Sequence, residues 1–180
     1  FYSKLLAIAA MAAGLQAGAL NAESFLSTLD STPNNIWSIG TFEVAQKFTT
    51  GNTSKDIGSV SVKIDGVTSQ TCNFSVSIYS DNAGSVGSVL GTGLLSGPSV
   101  PASFALNTYA ASGLTLGANT PYWLVFRNTG SGDVYVADTQ GGTTVVTSSA
   151  GWTTPNTSDY RLGTSVVFNT WADALPMFSI

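Results

Sequence analysis

Residues 59–65 read SVSVKID, and residues 74–78 read FSVSI. In the first stretch Val60, Val62 and Ile64 alternate with polar residues, and the second stretch alternates in the same way. Successive side chains of a β-strand point to opposite faces of a sheet, so a period of two predicts strands with one face on a hydrophobic core. The short connection between them, residues 66–71, predicts that the two strands pair as antiparallel neighbours.

The rest of the chain repeats this pattern between turn signals. Residues 121–126 read PYWLVF, which is apolar on both faces and predicts a central strand covered on both sides. Val134 and Val136 mark another short strand, and residues 177–180 form the last one. Glycine and proline punctuate the intervals, and helical periodicity is missing after residue 24. The sequence therefore predicts an all-β fold, an antiparallel β-sandwich that is jelly-roll-like.

Residues 1–22 have the layout of a secretory signal peptide. Lys4 precedes an apolar run of about 11 residues, too short to span a bilayer comfortably, and small residues follow. Two cleavage sites compete: cleavage after Ala19 fits the small-residue rule better, and cleavage after Ala22 puts the tolerable but poorer Leu20 at the upstream position. We predict a signal-peptide helix over residues 1–22, a lead-in segment over residues 23–33 and one sandwich domain over residues 34–180.

The first residue suggests an alternative. Mature type IV pilins begin with Phe and continue into a long apolar helix, and the start of this chain at Phe1 resembles that arrangement. Leu5, however, stands where pilins usually carry Glu. We therefore favour the signal peptide. We further expect an initiator Met with a basic residue upstream of Phe1, because a complete signal peptide carries both.

The composition excludes several classes of function. Charged residues make up 9% of the chain and the formal net charge is −4, so the chain does not attract phosphate backbones, and we expect no nucleic-acid partner. Cys72 is the single cysteine, which rules out an internal disulfide and predicts a small buried side chain. The chain has no histidine, which removes Ser-His and Cys-His nucleophiles. We predict no catalytic residue and no enzyme.

Calcium is the only cofactor that the sequence suggests. Asp81 lies in the oxygen-rich stretch SDNAGS, residues 80–85, which could hold calcium, although such loops normally offer several carboxylates. The alternative is a turn in which Asp81 and Asn82 bond to the backbone and Gly84 takes a positive φ.

The four tryptophans, Trp37, Trp123, Trp152 and Trp171, could provide a stacking platform for sugars. Trp123 lies in an apolar strand and is predicted to be core. Trp152, in the polar run GWTTPNTS, is predicted to be the most exposed ring, and Trp171 is the second candidate for ligand binding. The basic residues are too scattered along the chain to predict a patch.

Several ordered motifs give the chain a family resemblance. They are VSIYSDN at residues 76–82 with Gly84, Gly87 and Gly91, AQKFT at residues 45–49, LTL and ANTPYWL within residues 114–124, and Gly151-Trp152. This set, over residues 40–180, resembles the choice-of-anchor R domain. The resemblance implies an exported bacterial domain that precedes a C-terminal sorting anchor, often of the PEP-CTERM type, and it implies no activity. We accordingly expect such an anchor after Ile180 and membrane contact only through it or through the signal peptide.

These observations predict a non-catalytic module that is secreted or held at the surface of a bacterium. It would serve in structural display, adhesion or ligand binding, with extracellular polysaccharide or other surface proteins as partners. The alternative is a carbohydrate-binding module, which an exposed row of Trp rings would favour. A glycoside hydrolase-like enzyme ranks third and would need two close Asp residues in a pocket. A flat polar surface would favour the structural role.

Overall fold

The computed structural model describes residues 23–40, 42–68, 71–95, 97–140, 144–162, 169–172 and 174–180. Within these ranges the chain is all-β, and its strands form two antiparallel sheets in a β-sandwich-like arrangement, which confirms the predicted fold class. The predicted signal peptide, residues 1–22, lies outside the described residues. No helix in the described part of the chain has the length and apolar character needed to cross a bilayer.

Among the residues that the structure describes, the first sheet has eight strands: β1 (Leu26–Ser27), β2 (Asn35–Ile39), β4 (Lys55–Val67), β7 (Ala105–Leu116), β9 (Val134–Gln140), β10 (Thr147–Ser148), β13 (Ala174–Pro176) and β14 (Phe178–Ser179). It is built around the long strand β4. In the order β10-β1-β14-β4-β9-β13, each strand bonds to the next, while β7 pairs with β4 and β2 pairs with β9.

The second sheet has six strands in the same described ranges: β3 (Phe42–Thr49), β5 (Phe74–Asn82), β6 (Ser85–Leu94), β8 (Pro121–Asn128), β11 (Thr157–Leu162) and β12 (Asn169–Ala172). They follow one unbranched order, β12-β11-β3-β8-β5-β6. The predicted central strand is confirmed, because β8 lies between β3 and β5 and is buried along most of its length.

The core lies between the two sheets and follows from the alternation. Val60, Val62 and Ile64 of β4 are fully buried, and Leu124 and Phe126 of β8 belong to the same cluster. Burying each such side chain contributes about 1.5–3 kcal/mol, which explains why these positions are apolar and their neighbours polar. Cys72 is buried at the margin of this core, as predicted.

One prediction about connectivity is wrong. The strands that begin near Ser59 and Phe74 do not pair, because β4 belongs to the first sheet and β5 to the second. The connection after Val67 crosses from one sheet to the other. Within the predicted lead-in segment, residues 23–33, Leu26 is fully buried and β1 pairs with both β10 and β14.

Candidate functional site

One surface collects the charged side chains of the second sheet. On β8, Leu124 and Phe126 join the main core, whereas Trp123 and Val125 belong to a separate cluster on the opposite side of the sheet. The strand register places further residues beside these two. We define the outer face by ten residues: Glu43, Ala45, Lys47, Tyr79, Asp81, Trp123, Val125, Arg127, Asp159 and Arg161.

Glu43 joins three strands at one end of the outer face. It is nearly buried, and its Oε1 lies 3.1 Å from Nε of Arg127 on β8. Its Oε2 accepts a hydrogen bond of 2.5 Å from Nε of Arg161 on β11, and the Nη2 of that guanidinium also contacts it. Two guanidinium groups therefore share one carboxylate. Such a buried acid is stable only because both charge and hydrogen bonds compensate its desolvation.

Asp81 forms a second ionic group at the other end. Its Oδ1 lies 2.9 Å from Nζ of Lys47 and accepts a hydrogen bond of 2.8 Å from Nε1 of Trp123. Its Oδ2 accepts one of 2.9 Å from the backbone N of Gly84. Partial burial alone would raise the pKa of this carboxyl. The hydrogen bonds from Lys47, Gly84 and Trp123, together with the charge of Lys47, outweigh burial and hold the pKa below its ordinary value.

These contacts give both carboxylate oxygens of Asp81 a partner within the protein. Within the stretch 80–85, Ala83 and Gly84 form a two-residue hairpin turn between β5 and β6. Gly84 has φ +90° and Asp81 accepts a hydrogen bond from its backbone N–H, as the turn alternative predicts. The carboxylate proposed as a calcium ligand is thus the partner of an ammonium group. Among the described residues, no cluster of three or more His, Cys, Asp or Glu side chains could hold a metal ion.

Asp81 and Asp159 do not form a close acid pair. Desolvation by burial raises the pKa of Asp159, and a hydrogen bond from Thr170 and the charge of Lys47 offset it only in part. The pKa values of the two acids on this face are therefore shifted in opposite directions. They nevertheless lie on β5 and β11, three strands apart, and Asp81 is four residues further along the sheet than Ser77, the β5 residue in register with Asp159. Their Cα atoms are therefore about 14 Å apart across the strands and about 13 Å further apart along them. The two carboxyl groups of a glycosidase lie about 5–10 Å apart.

A small apolar cluster lies between the charged groups. Ala45, Trp123 and Val125 are buried, and Tyr79 and Val86 pack against them. The ammonium of Lys47 lies 5.4 Å from the centroid of the Trp123 ring, a distance at which the cation is attracted by the ring face. Trp123 is 4% exposed, so its ring is covered by its neighbours on the outer face and does not offer a stacking surface.

The structure separates the two tryptophans predicted to bind a ligand. The prediction that Trp152 is exposed is wrong: its side chain is 1% exposed and lies in the core, stacked between Phe25 and Phe48 at centroid distances of 5.2 and 5.8 Å. The backbone of Trp171 lies in β12 opposite Ser158, and its side chain lies outside the described residues.

Sequence reasoning missed the basic members of the outer face. Lys47, Arg127 and Arg161 are far apart in the chain, yet the register of β3, β8 and β11 brings them to one side. The alternation along β3 could have indicated this face, because Glu43 and Lys47 alternate with the buried residues Val44, Gln46 and Phe48. The surface remains mixed in charge, because Glu43 and Asp81 neutralise the cations. Comparison with protein-family models, with curated protein sequences and with solved structures yields no match to this chain.

Proposed function

We propose that this chain is a non-catalytic exported module that serves in structural display and adhesion at the surface or in the matrix of a bacterium, with the outer face as its contact surface. One observation carries the proposal. The ion pairs found among the described residues, Lys47–Asp81, Arg127–Glu43 and Arg161–Glu43, all lie on this face, in a chain that is only 9% charged. Fixed charges of both signs suit recognition of a polar partner and give specificity.

The same surface favours adhesion over the two other functions. The described rings of Trp37, Trp123 and Trp152 are buried, so they do not supply the aromatic platform of a sugar-binding module. The separation of Asp81 from Asp159 does not suit glycoside hydrolysis. The outer face instead presents its charged groups around the small buried apolar cluster, with a shallow depression beside Asp81 that Ser80, Asn82 and Ser88 help to line.

The proposal includes the finer features of fold and address. A jelly-roll-like topology is supported by successive strands that alternate between the sheets, from β3 to β4 to β5 and from β7 to β8 to β9. Residues 1–22 would act as the signal peptide, and a C-terminal anchor would hold the module at the cell surface. The signal peptide rests on the layout of residues 1–22, and the anchor rests on the resemblance to the choice-of-anchor R domain. The partner would be an extracellular polysaccharide or another surface protein.

A binding measurement with matched variants tests this proposal. Arg127→Gln removes a half-exposed guanidinium from the outer face, and Lys63→Gln removes the same charge from the other sheet. We expect the affinity for immobilised extracellular matrix from the source bacterium to fall about fivefold or more for Arg127→Gln, equivalent to about 1 kcal/mol. The affinity of Lys63→Gln should be unchanged.

Activity assays provide the opposing outcome. We expect the purified protein to hydrolyse no polysaccharide, ester or peptide. Turnover that disappears on replacing Asp81 or Asp159 would instead establish a hydrolase. Equal loss of binding in both charge variants would show that the outer face is not the contact surface.

A further inference from the structure

The edge strand β7 of the first sheet lacks the usual protection against pairing with another chain. Its twelve residues, Ala105–Leu116, contain neither a charged residue nor a proline. Natural proteins blunt the edges of sheets with charges, prolines, bulges or very short strands, since an open edge is a template for a further strand. Within the described part of the chain, β7 pairs only with β4, which leaves its other edge open.

The other described edges are shorter than β7 or carry such a device. Strands β2, β10 and β12 have five, two and four residues. β13 contains Pro176, and the pairing of β6 with β5 is interrupted by two register shifts. In β7 the only irregularity lies opposite Gly58, beyond Ala110, so residues 105–110 form a regular ladder with residues 59–64. This half of β7 is therefore the edge best suited to accept a strand.

The backbone groups that point outward can be identified from the register. Lys63 donates its backbone N–H to O of Met177, on the β14 side of β4. Because alternate residues of a strand direct their N–H and C=O to opposite sides, the β7 residues that oppose Lys63 and Ser61, Leu106 and Thr108, point away from β4. Ala110, two residues further on, points the same way.

Apolar side chains border this edge. Leu106 is 53% exposed, and Phe104, immediately before the strand, is 79% exposed. Phe104 also has φ +53°, a backbone conformation that bulky residues rarely adopt. A large aromatic ring is thus held in solvent beside an unpaired strand, where a second strand would cover part of it.

We propose that β7 pairs antiparallel with β7 of a second copy of this chain, so that two first sheets join into one continuous sheet. With the two-fold axis at Thr108, Thr108 faces Thr108 of the second copy, and Leu106 and Ala110 of each copy face one another. This register uses all three outward residues and closes six backbone hydrogen bonds. A second copy fits better than a charged peptide, because both strands are uncharged and a Thr–Thr pair is favourable across strands.

The interface is small, and the proposal does not depend on the proposed function of the outer face. Pairing of one edge buries less than about 1,200 Å² in total, which is the range of weak complexes. The association would therefore matter where copies are concentrated, as on a cell surface. The contact is isologous, so it closes at two copies and does not extend into filaments.

Sedimentation velocity of the purified full chain between about 10 µM and about 1 mM tests the pairing. Thr108→Lys places two like charges opposite each other at the axis, and we expect it to weaken dimerisation about tenfold or more. Val145→Lys adds the same charge at an exposed position beside β10, on the far side of the first sheet, and should leave dimerisation unchanged. Thermal unfolding of both variants controls for folding.

Hydrogen exchange locates the contact. Raising the concentration should slow exchange of the amides of Leu106, Thr108 and Ala110 severalfold, whereas those of Asn107 and Tyr109, which point toward β4, should not change. Thr108→Cys should form an intermolecular disulfide in a Cys72→Ala background. A monomer throughout the concentration range, a dimer that Thr108→Lys leaves intact, or assemblies larger than two copies would each overturn the proposal.

Discussion

At the scale of single residues, Asp138 brings a carboxyl group into the interior of the first sheet. Its side chain is fully buried. Its Oδ2 accepts a long hydrogen bond of 3.4 Å from Nδ2 of Asn35, and its Oδ1 has no hydrogen-bond partner among the described residues. Burial raises the pKa of Asp138 to about 6, against the smaller opposing effects of Asn35 and of the backbone. The ionised carboxylate therefore destabilises the fold.

This pKa predicts how stability depends on pH. Between the unfolded value near 4 and the folded value near 6, the native protein holds a proton that the unfolded chain has released. The stabilising contribution of the protonated group is complete below pH 4 and is lost as the pH rises through 6. We expect Asp138→Asn to increase the free energy of unfolding at pH 7 by about 1–3 kcal/mol, measured by urea denaturation.

The matched control is Asp30→Asn, which neutralises an exposed carboxyl. It should leave the difference in stability between pH 4 and pH 7 as it is in the parent protein, whereas Asp138→Asn should reduce that difference. If both variants keep the full pH dependence, another group is responsible for it.

Trp152 shows where local sequence is a poor guide at this scale. Its neighbours are polar, which predicts exposure, but the rings that enclose it come from Phe25 and Phe48, more than a hundred residues away. Burial that depends on such distant partners leaves no trace in the composition of the surrounding segment. Trp123 could be placed correctly because its own apolar stretch, residues 121–126, already indicates burial, and Cys72 because an unpaired cysteine is usually a small buried side chain.

At the scale of elements, the hairpin between β5 and β6 turns through Ala83 and Gly84, with φ of +50° and +90°. A two-residue turn with both φ values positive prefers Asn-Gly, because Asn tolerates the left-handed conformation better than Ala. We predict that Ala83→Asn increases stability by about 0.5–1 kcal/mol, seen as a higher Tm. Ala102→Asn, at an exposed alanine outside the positive-φ set, should give no such gain.

The elements also show how far alternation carries a prediction. The strands around Val62, Val76 and Val136 follow from a period of two, whereas the strand around Leu124 follows from an uninterrupted apolar run, and each is present. Alternation does not indicate which sheet a strand joins. The short connection between β4 and β5 therefore predicted that they pair, although they lie in different sheets. The outer face depends on the same missing information, because its charged pairs become neighbours only when β3, β5, β8 and β11 are placed in one sheet.

At the scale of the whole molecule, a core shared by both sheets predicts one cooperative unfolding transition that depends on neither metal nor disulfide. We expect chelator and reductant to leave the Tm and the β-type circular dichroism unchanged. A fall in Tm of several degrees with chelator would reveal a bound cation, and its loss in Asp81→Asn would assign that cation to the β5–β6 turn. A fall with chelator that persists in Asp81→Asn would locate the cation elsewhere.

The pairing of β1 with β14 has a consequence for the order in which the protein forms. Phe25 donates its N–H to O of Ile180 at 2.8 Å, and Ile180 donates to O of Leu26 at 2.9 Å. A chain that emerges amino end first from a ribosome must hold β1 without its β14 partner until residues 178–180 appear. Contacts so distant in sequence require loop closure before they stabilise anything, which slows folding. We therefore expect the sandwich to close only after residue 180 has been made, leaving an interval in which Phe25 and Leu26 are open to chaperones and proteases.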